Sequence, residues 1–546
     1  MGFRAGGWSG TVTLGARSYS GSKWGIKKEL HEFAYPIDGE GPWRTERASG
    51  GRGLQCEAEP CGASFPCGAG MAVIILFPAL ACLVVMAKGS LRSALINVYL
   101  PTVLLLPLYF RLQIPHTPPL SFAGAAIVPL GVALLATEMR RWRFDWMDLL
   151  VLLFALSAAV SEGMSGALAN GTWTRLFTSP AETLQADVNQ GIFQLAEGIT
   201  TIVLPYMAGK LLLGQGEYSG RPVREMFLKR MVTLLAVVAA ISTFDFIGAQ
   251  SIWQRVFHHF FLDQPLIWPV QTRWGFGRIQ GPYAHAILAG MVFLMGLTYC
   301  IWLRSFCPQW GTRRIVKGLP LTVRGVMLGA VVAGLLMTQS RGPWLGVALA
   351  LLFVFLAQKF QVARATAIFL VLIAVFSVAG YYYVNKYTQG GPGQSTNEEQ
   401  ASAIYRRDLI RNYKPIVMLH KAFGWGISNF PVMGGQQSID NEYLLLAVTQ
   451  GFTGLGLFLA ILAGSGARLL LLATRPMAAE DRGLVFAHLA VLIGLTTALA
   501  TVYLGEQVML LLFLVVGWAQ GMNPVRVRFG AKAATAPRFE FRRVLT

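Results

Sequence analysis

Residues 320–358 read PLTVRGVMLGAVVAGLLMTQSRGPWLGVALALLFVFLAQ: two apolar runs, 320–339 and 343–358, parted only by Ser340-Arg341-Gly342. Both runs are continuous rather than alternating, and an α-helix needs about 17–25 such residues to cross the hydrocarbon core of a bilayer. A membrane β-strand would alternate apolar and polar positions, so a β-barrel is not plausible. Outward from this pair, similar runs recur near 72–87, 94–111, 120–137, 147–164, 193–214, 229–249, 284–303, 364–384, 453–473, 484–502 and 506–521. The runs at 72–87 and 343–358 are short. The reading is an all-α polytopic membrane protein with about twelve to fourteen transmembrane helices.

Composition agrees. With 54% hydrophobic and 13% charged residues, a chain of 546 cannot fold as a soluble domain without a large exposed apolar surface. The net charge of +19 comes from Lys and Arg dispersed between apolar runs, where they set topology rather than bind nucleic acid. Six cysteines show no CxxC spacing, so neither a disulfide framework nor a metal site follows. Gly275-Phe276-Gly277-Arg278-Ile279-Gln280-Gly281 has the wrong glycine spacing for a dinucleotide fingerprint and precedes a membrane helix instead of following a strand. His258-His259 lacks a third ligand, and Ile252 to Trp268 reads better as an aromatic-rich interfacial helix.

Residues 1–70 are rich in Gly, Ser and Arg, without apolar periodicity or a secretory signal, and read as a disordered or non-native extension preceding Met71. Residues 71–522 form the transmembrane domain and 523–546 a basic cytoplasmic tail. Lys88/Arg92, Arg140/Arg141/Arg143, Arg221/Arg224/Lys229/Arg230, Arg304/Arg313/Arg314/Lys317, Lys359/Arg364 and Arg475/Arg482 occupy every second connection, which marks those as cytoplasmic. The opposite connections, 165–192, 250–283, 340–342, a large loop at 385–441 and 503–505, then face outward. In a bacterial inner membrane that side is the periplasm.

Arg273, Arg278, Arg341, Arg406, Arg407 and Arg411 lie on the outer side, against this bias. The ordinary explanation is solvated or headgroup-contacting arginines. It is weakest for Arg341, confined to a short turn beside Gly342 and Pro343, where a planar guanidinium suits bidentate contact with phosphate or diphosphate. Glu162, Glu197, Asp245, His285 and Glu506 fall toward the outer ends of their helices, as functional groups or as partners in interhelical hydrogen bonds and ion pairs. Asp440, where the polar loop meets the run from Glu442, is either a general base or a helix N-cap, with Glu398, Asp408 and His420 as other sources of a base.

Four motifs carry a resemblance. They are Arg278-x-x-Gly281-Pro282-x-Ala284, Thr338-Gln339-Ser340-Arg341-Gly342-Pro343-Trp344-Leu345-Gly346, Phe423-Gly424-Trp425-Gly426-x-x-Asn429-Phe430, and Ile439-Asp440-Asn441-Glu442-Tyr443-Leu444 followed by Gln450-Gly451-x-x-Gly454. Their order and spacing over roughly 270–460 resemble the O-antigen ligase and polymerase family of bacterial envelope biosynthesis. The resemblance implies metal-independent glycosyl transfer from an undecaprenyl-diphosphate-linked glycan, with Arg278 and Arg341 holding the donor diphosphate and no cofactor. Many ligases of that family have a histidine immediately before the asparagine of the late motif. Here Asp440 stands there, which looks more like the exopolysaccharide and O-antigen polymerase branches.

The residues and the resemblance converge on a polymerase joining lipid-linked repeat units at the periplasmic face. Asp440, Arg341 and Arg278 are the expected catalytic residues, and Arg273, Arg406, Arg411, Asn441 and His420 the expected substrate contacts. The implied partners are a lipid-linked oligosaccharide as donor and acceptor, membrane lipids, and chain-length regulator and export proteins, with no nucleic acid. An O-antigen ligase acting on lipid A-core or protein is the alternative within the family. A transporter of an anionic substrate, or a scaffold for a polysaccharide assembly complex, are alternatives outside it.

Overall fold

The computed structural model describes residues 72–114, 117–168, 181–214, 221–262, 264, 269–315, 320–389, 397–433, 436 and 438–522. The extension at 1–70, the tail at 523–546, parts of the loops at 165–192 and 385–441, and the side chain of Glu398 lie outside the described residues.

Each of the thirteen apolar runs holds a helix. In chain order these are α1 (Phe77–Lys88), α2 (Leu91–Leu105), α3 (Phe122–Glu138), α4 (Trp146–Leu168), α5 (Ala181–Gly198, continuing as helix with wider turns to 214), α6 (Arg221–Gly248), α8 (Ala286–Phe306), α9 (Val323–Met337), α10 (Arg341–Lys359), α11 (Val362–Tyr387), α14 (Gly451–Ala473), α15 (Ala479–Leu499) and α16 (Glu506–Gly521). Short α7 (Ile252–His258) lies between α6 and α8; α12 (Glu398–Leu419) and α13 (Glu442–Thr449) lie between α11 and α14. Among the described residues, eight helices are long and apolar enough to cross a membrane, and α1, α2, α9 and α16 are shorter apolar helices.

Several helices begin where a polar connection supplies a side-chain cap. Ser90, Ser121, Thr322, Asn397 and Asn441 each accept a backbone N–H of the following turn through the side chain, satisfying donors that have no partner within the helix. Inside the domain α8 is the hub, with 94% of its apolar window buried, whereas α11 buries only 11% and sits at the periphery. Close crossings rely on glycine: a Cβ on Gly517 would fall 1.9 Å from the Tyr206 carbonyl oxygen, so α16 can lie against the helical stretch at 204–214 only because positions 517 and 521 lack side chains.

Three local features differ from the sequence reading. The run at 94–111 stops being helical at Leu105, and Arg111 belongs to a short hairpin, β1 (Arg111–Leu112) with β2 (Leu120–Ser121). The interfacial helix expected from Ile252 ends at His258. The large loop is not irregular: it contains α12, whose Leu409, Tyr413, Ile416 and Val417 pack with Ile439, Ala447 and Val448 into a separate small core. That core fixes the chain on both sides of Asp440.

Candidate functional site

A second hairpin, β3 (Thr272–Arg273) with β4 (Phe276–Gly277), begins the site. Its two-residue turn has both residues at positive φ, Trp274 at 53° and Gly275 at 79°, the geometry whose twist matches antiparallel strands. The hairpin delivers Arg273 and Arg278 to the α9–α10 connection. Arg273 donates to the Gln339 carbonyl oxygen at 2.7 Å. Arg278, only 5% exposed, donates from Nε to the Thr338 carbonyl oxygen at 3.2 Å and from its terminal nitrogens to Ser340 Oγ at 2.9 Å and to the Gln271 side chain. Gln339 itself sits at φ 50°, so this connection is a tight turn held by two arginines.

Arg341 is the first residue of α10 rather than a turn residue, and its guanidinium pairs with Glu399 of α12. Glu399, Ser402 and Arg406 recur at helical spacing, so they share one face of α12. Asp440 closes the arrangement, accepting a hydrogen bond from Ser438 Oγ at 2.7 Å, while Tyr405 of α12 ties down the Ser438 carbonyl at 2.6 Å. The cap of α13 is Asn441, whose side chain accepts from the Leu444 N–H at 3.2 Å. Asp440 is therefore not consumed as a cap.

Together these groups enclose a cavity of about 210 Å³, lined by Arg273, Arg278, Arg341 and Arg406, with Asp440 and Glu399 as its carboxylates and Trp274 and His285 at its wall. Four guanidinium groups face two carboxylates. Burial, reinforced by Arg273 and Arg406, pushes the Arg278 guanidinium down to about 10, with Asp440 opposing. Burial likewise lowers Arg406; Asp440 opposes this and Arg341 adds to it. His285 caps α8 by accepting the Ile287 N–H on Nδ1 at 3.1 Å, which places a ring proton on Nε2. The cavity is a site of crowded positive charge, and an anion entering it relieves that repulsion.

Residues 325–459 match the family model Wzy_C, described as O-antigen ligase. The match agrees with the resemblance carried by the motifs and supports an O-antigen ligase/polymerase-type, glycosyl-transferring function. No curated protein matches the chain. The O-antigen ligase match takes in Arg341, Glu399, Arg406 and Asp440 and covers about a quarter of the chain; Arg273 and Arg278 come to its edge from outside, on the hairpin.

Five of the eight expected residues, Arg273, Arg278, Arg341, Arg406 and Asp440, thus meet around one cavity. The other three do not line it. Arg411 is exposed, about 140° around α12 from Arg406. His420 ends α12 and packs edge-on against Trp425, ring centroids 3.8 Å apart. Asn441 is the helix cap. Of the other possible bases, Asp408 pairs with Arg407 at 2.8 Å. The embedded acids have structural partners: Glu162 accepts from the Ile427 N–H at 2.6 Å, Asp245 from the Ile252 N–H at 2.9 Å, and Arg111 joins Glu197 at 3.0 Å to Glu506 at 3.1 Å.

Sequence reasoning missed Glu399, Ser402, Trp274 and Gln271. The first two were findable from the 399/402/406 spacing once α12 is read as a helix. Nothing in the sequence aims Trp274 or Gln271 at the cavity.

Proposed function

We propose that this protein is a polysaccharide polymerase of the bacterial inner membrane. It joins undecaprenyl-diphosphate-linked repeat units at the periplasmic face without a metal. The observation that carries this reading is the convergence of four arginines, from the hairpin, the start of α10 and the face of α12, on one cavity beside Asp440. The cavity is smaller than the several hundred Å³ that enclose a whole drug-sized ligand. It suits a charged group such as the diphosphate, leaving the glycan and the lipid tail outside.

Glycosyl transfer from such a donor needs two things. The acceptor hydroxyl attacks the anomeric carbon as the bond to the diphosphate oxygen breaks, so negative charge grows on the departing diphosphate while the hydroxyl loses its proton. Arg341, Arg406, Arg278 and Arg273 stabilise the first change as preorganised donors, in the role a divalent metal commonly takes. Asp440 takes the proton as general base. The polymerase reading over the ligase rests on Asp440 standing where many ligases have histidine.

Purified protein incubated with lipid-linked repeat units tests the proposal. Chain growth without nucleotide or metal is the expected result. Transfer only when lipid A-core is added would replace polymerase by ligase, and uptake into vesicles without covalent change would point to a transporter.

A further inference from the structure

The tip of the β3–β4 hairpin holds a residue its geometry disfavours. A two-residue turn with both residues at positive φ usually carries Asn-Gly, Asp-Gly or Gly-Gly, because a bulky side chain is poorly tolerated there. Trp274 takes the first position at φ 53°. A large residue kept in such a conformation points to a use for its side chain. Holding the hairpin together is not that use. Phe276 fastens it, stacked on Phe246 of α6 with ring centroids 4.7 Å apart and planes within 4°, and the Arg278 N–H donates to the Gln271 carbonyl oxygen at 2.8 Å. Trp274 stays 59% exposed.

What the indole does meet is the cavity. It lines the wall beside Gln271, Arg273 and Arg278, and it leans on Trp344 of α10, ring centroids 6.3 Å apart. Trp344 is fixed in turn, its Nε1 donating to the Leu335 carbonyl oxygen at 3.0 Å. The Trp274 ring is thus braced on one side and open on the other. A cavity that takes the diphosphate and leaves the glycan outside makes the first sugar emerge at its wall. Pyranose rings present faces of C–H groups, weakly apolar and positively polarised, whereas the face of an indole is its electronegative surface. The surroundings favour a sugar over the lipid tail: next to Gln271 and Arg273 a hydroxylated ring keeps its hydrogen bonds, and a hydrocarbon would bury polar groups without replacing them. Resting on the diphosphate reading above, we propose that Trp274 is a glycan-binding residue, the platform on which the sugar bonded to the donor diphosphate stacks. The arginines hold the charge and the indole holds the ring, a two-point grip that orients the anomeric carbon.

The test sets a ligand without sugar against one that carries it, using the full-length protein in neutral detergent. Calorimetry with undecaprenyl diphosphate reads the arginines alone, and kcat/KM for chain growth, with lipid-linked repeat units extracted from a strain lacking this protein, reads the glycan as well. Trp274→Asn is the informative variant, since asparagine suits the turn better than tryptophan and keeps the hairpin in place. It is expected to bind undecaprenyl diphosphate within about twofold of the unaltered protein and to lose about tenfold in kcat/KM, the scale of one aromatic contact. Trp274→Tyr, which keeps a ring face, should retain most of kcat/KM. An unchanged kcat/KM in Trp274→Asn overturns the proposal, and so does an equal loss of undecaprenyl diphosphate binding, which would make Trp274 a support for the arginines. Arg341→Ala separates the two levels. If the unaltered protein grows no chains or does not bind undecaprenyl diphosphate, or if Arg341→Ala binds it equally well, the functional reading fails and this proposal with it. If Arg341→Ala loses the diphosphate while Trp274→Asn keeps its kcat/KM, only the role of Trp274 fails.

Discussion

Arg341 and Asp440 divide the work that the site is proposed to do. Arg341→Lys keeps the charge but loses the planar fork. If bidentate contact with the diphosphate matters, it should lose most of the activity that Arg341→Ala loses, about 10²–10³-fold in polymer formation at equal protein abundance. Near-normal polymer from both variants would remove Arg341 from the donor site. Asp440→Asn should cost about 10²–10⁴-fold. Because Asn441 is the cap, Asp440→Ala should be no worse for abundance, and a fully active Asp440→Asn would shift the base role to another group. Two residues on, Glu442 behaves differently. It is 4% exposed, accepts the Leu504 N–H at 2.6 Å, and burial pushes its carboxyl up to about 8. Between the ordinary 4.5 and about 8 the folded protein holds a proton that the unfolded chain has released, so stability should fall as pH rises through that window and level off above it. Melting temperatures across the window should show this slope in the unaltered protein and a shallower one in Glu442→Gln.

At the level of elements, what could be read in advance depended on the length of the signal. Apolar runs of membrane length announce themselves, and the Thr338–Gly346 stretch stood out because a charge interrupts two of them. The β3–β4 hairpin could not announce itself, since strands of two residues carry no alternation, and its glycines drew notice only as a failed nucleotide fingerprint. α12 was hidden for another reason. Its polar residues outweigh the stripe at Leu409, Tyr413, Ile416 and Val417, so it reads as loop until the stripe is seen to follow helical spacing. The hairpin makes a specific prediction. A β-branched side chain at Gly275, where φ is 79°, introduces about 1–3 kcal/mol of backbone strain, whereas asparagine tolerates this region. Gly275→Val should therefore displace Arg273 and Arg278 and lower polymer yield several-fold at matched abundance, while Gly275→Asn stays near the unaltered level. Equal yields from the two would mean that the hairpin does not set the arginines' positions.

Across the whole molecule, charge is sorted to two ends. At one end Lys210, 3% exposed, is held by Asp148 at 2.6 Å and Asp145 at 3.2 Å and donates to the Arg143 carbonyl oxygen, and Arg224 pairs with Asp481 at 2.9 Å. At the other end the connections 250–283, 340–342 and 385–441 meet around the cavity, Gln190 reaches Ser428 at 3.3 Å, and Glu442 binds the connection before α16. Connections of like parity thus touch one another, as alternate membrane crossings require. Lys210 and Arg111 escaped the sequence reading because a single charge barely shifts the average hydropathy of a run. The proposed orientation rests on the arginine bias: Arg140, Arg141, Arg143, Arg313 and Arg314 lie in the connections of the opposite parity to those around the cavity, so the cavity end is the one expected to face outward. An alkaline phosphatase, active only when exported, fused after Thr388 should be active, and one fused after Arg314 should be inactive with its fusion protein still present on a blot. Reversed activities would put the cavity on the cytoplasmic side, where the proposed extracytoplasmic polymerisation could not take place, and the functional reading would fall even though the fold and the cavity would stand.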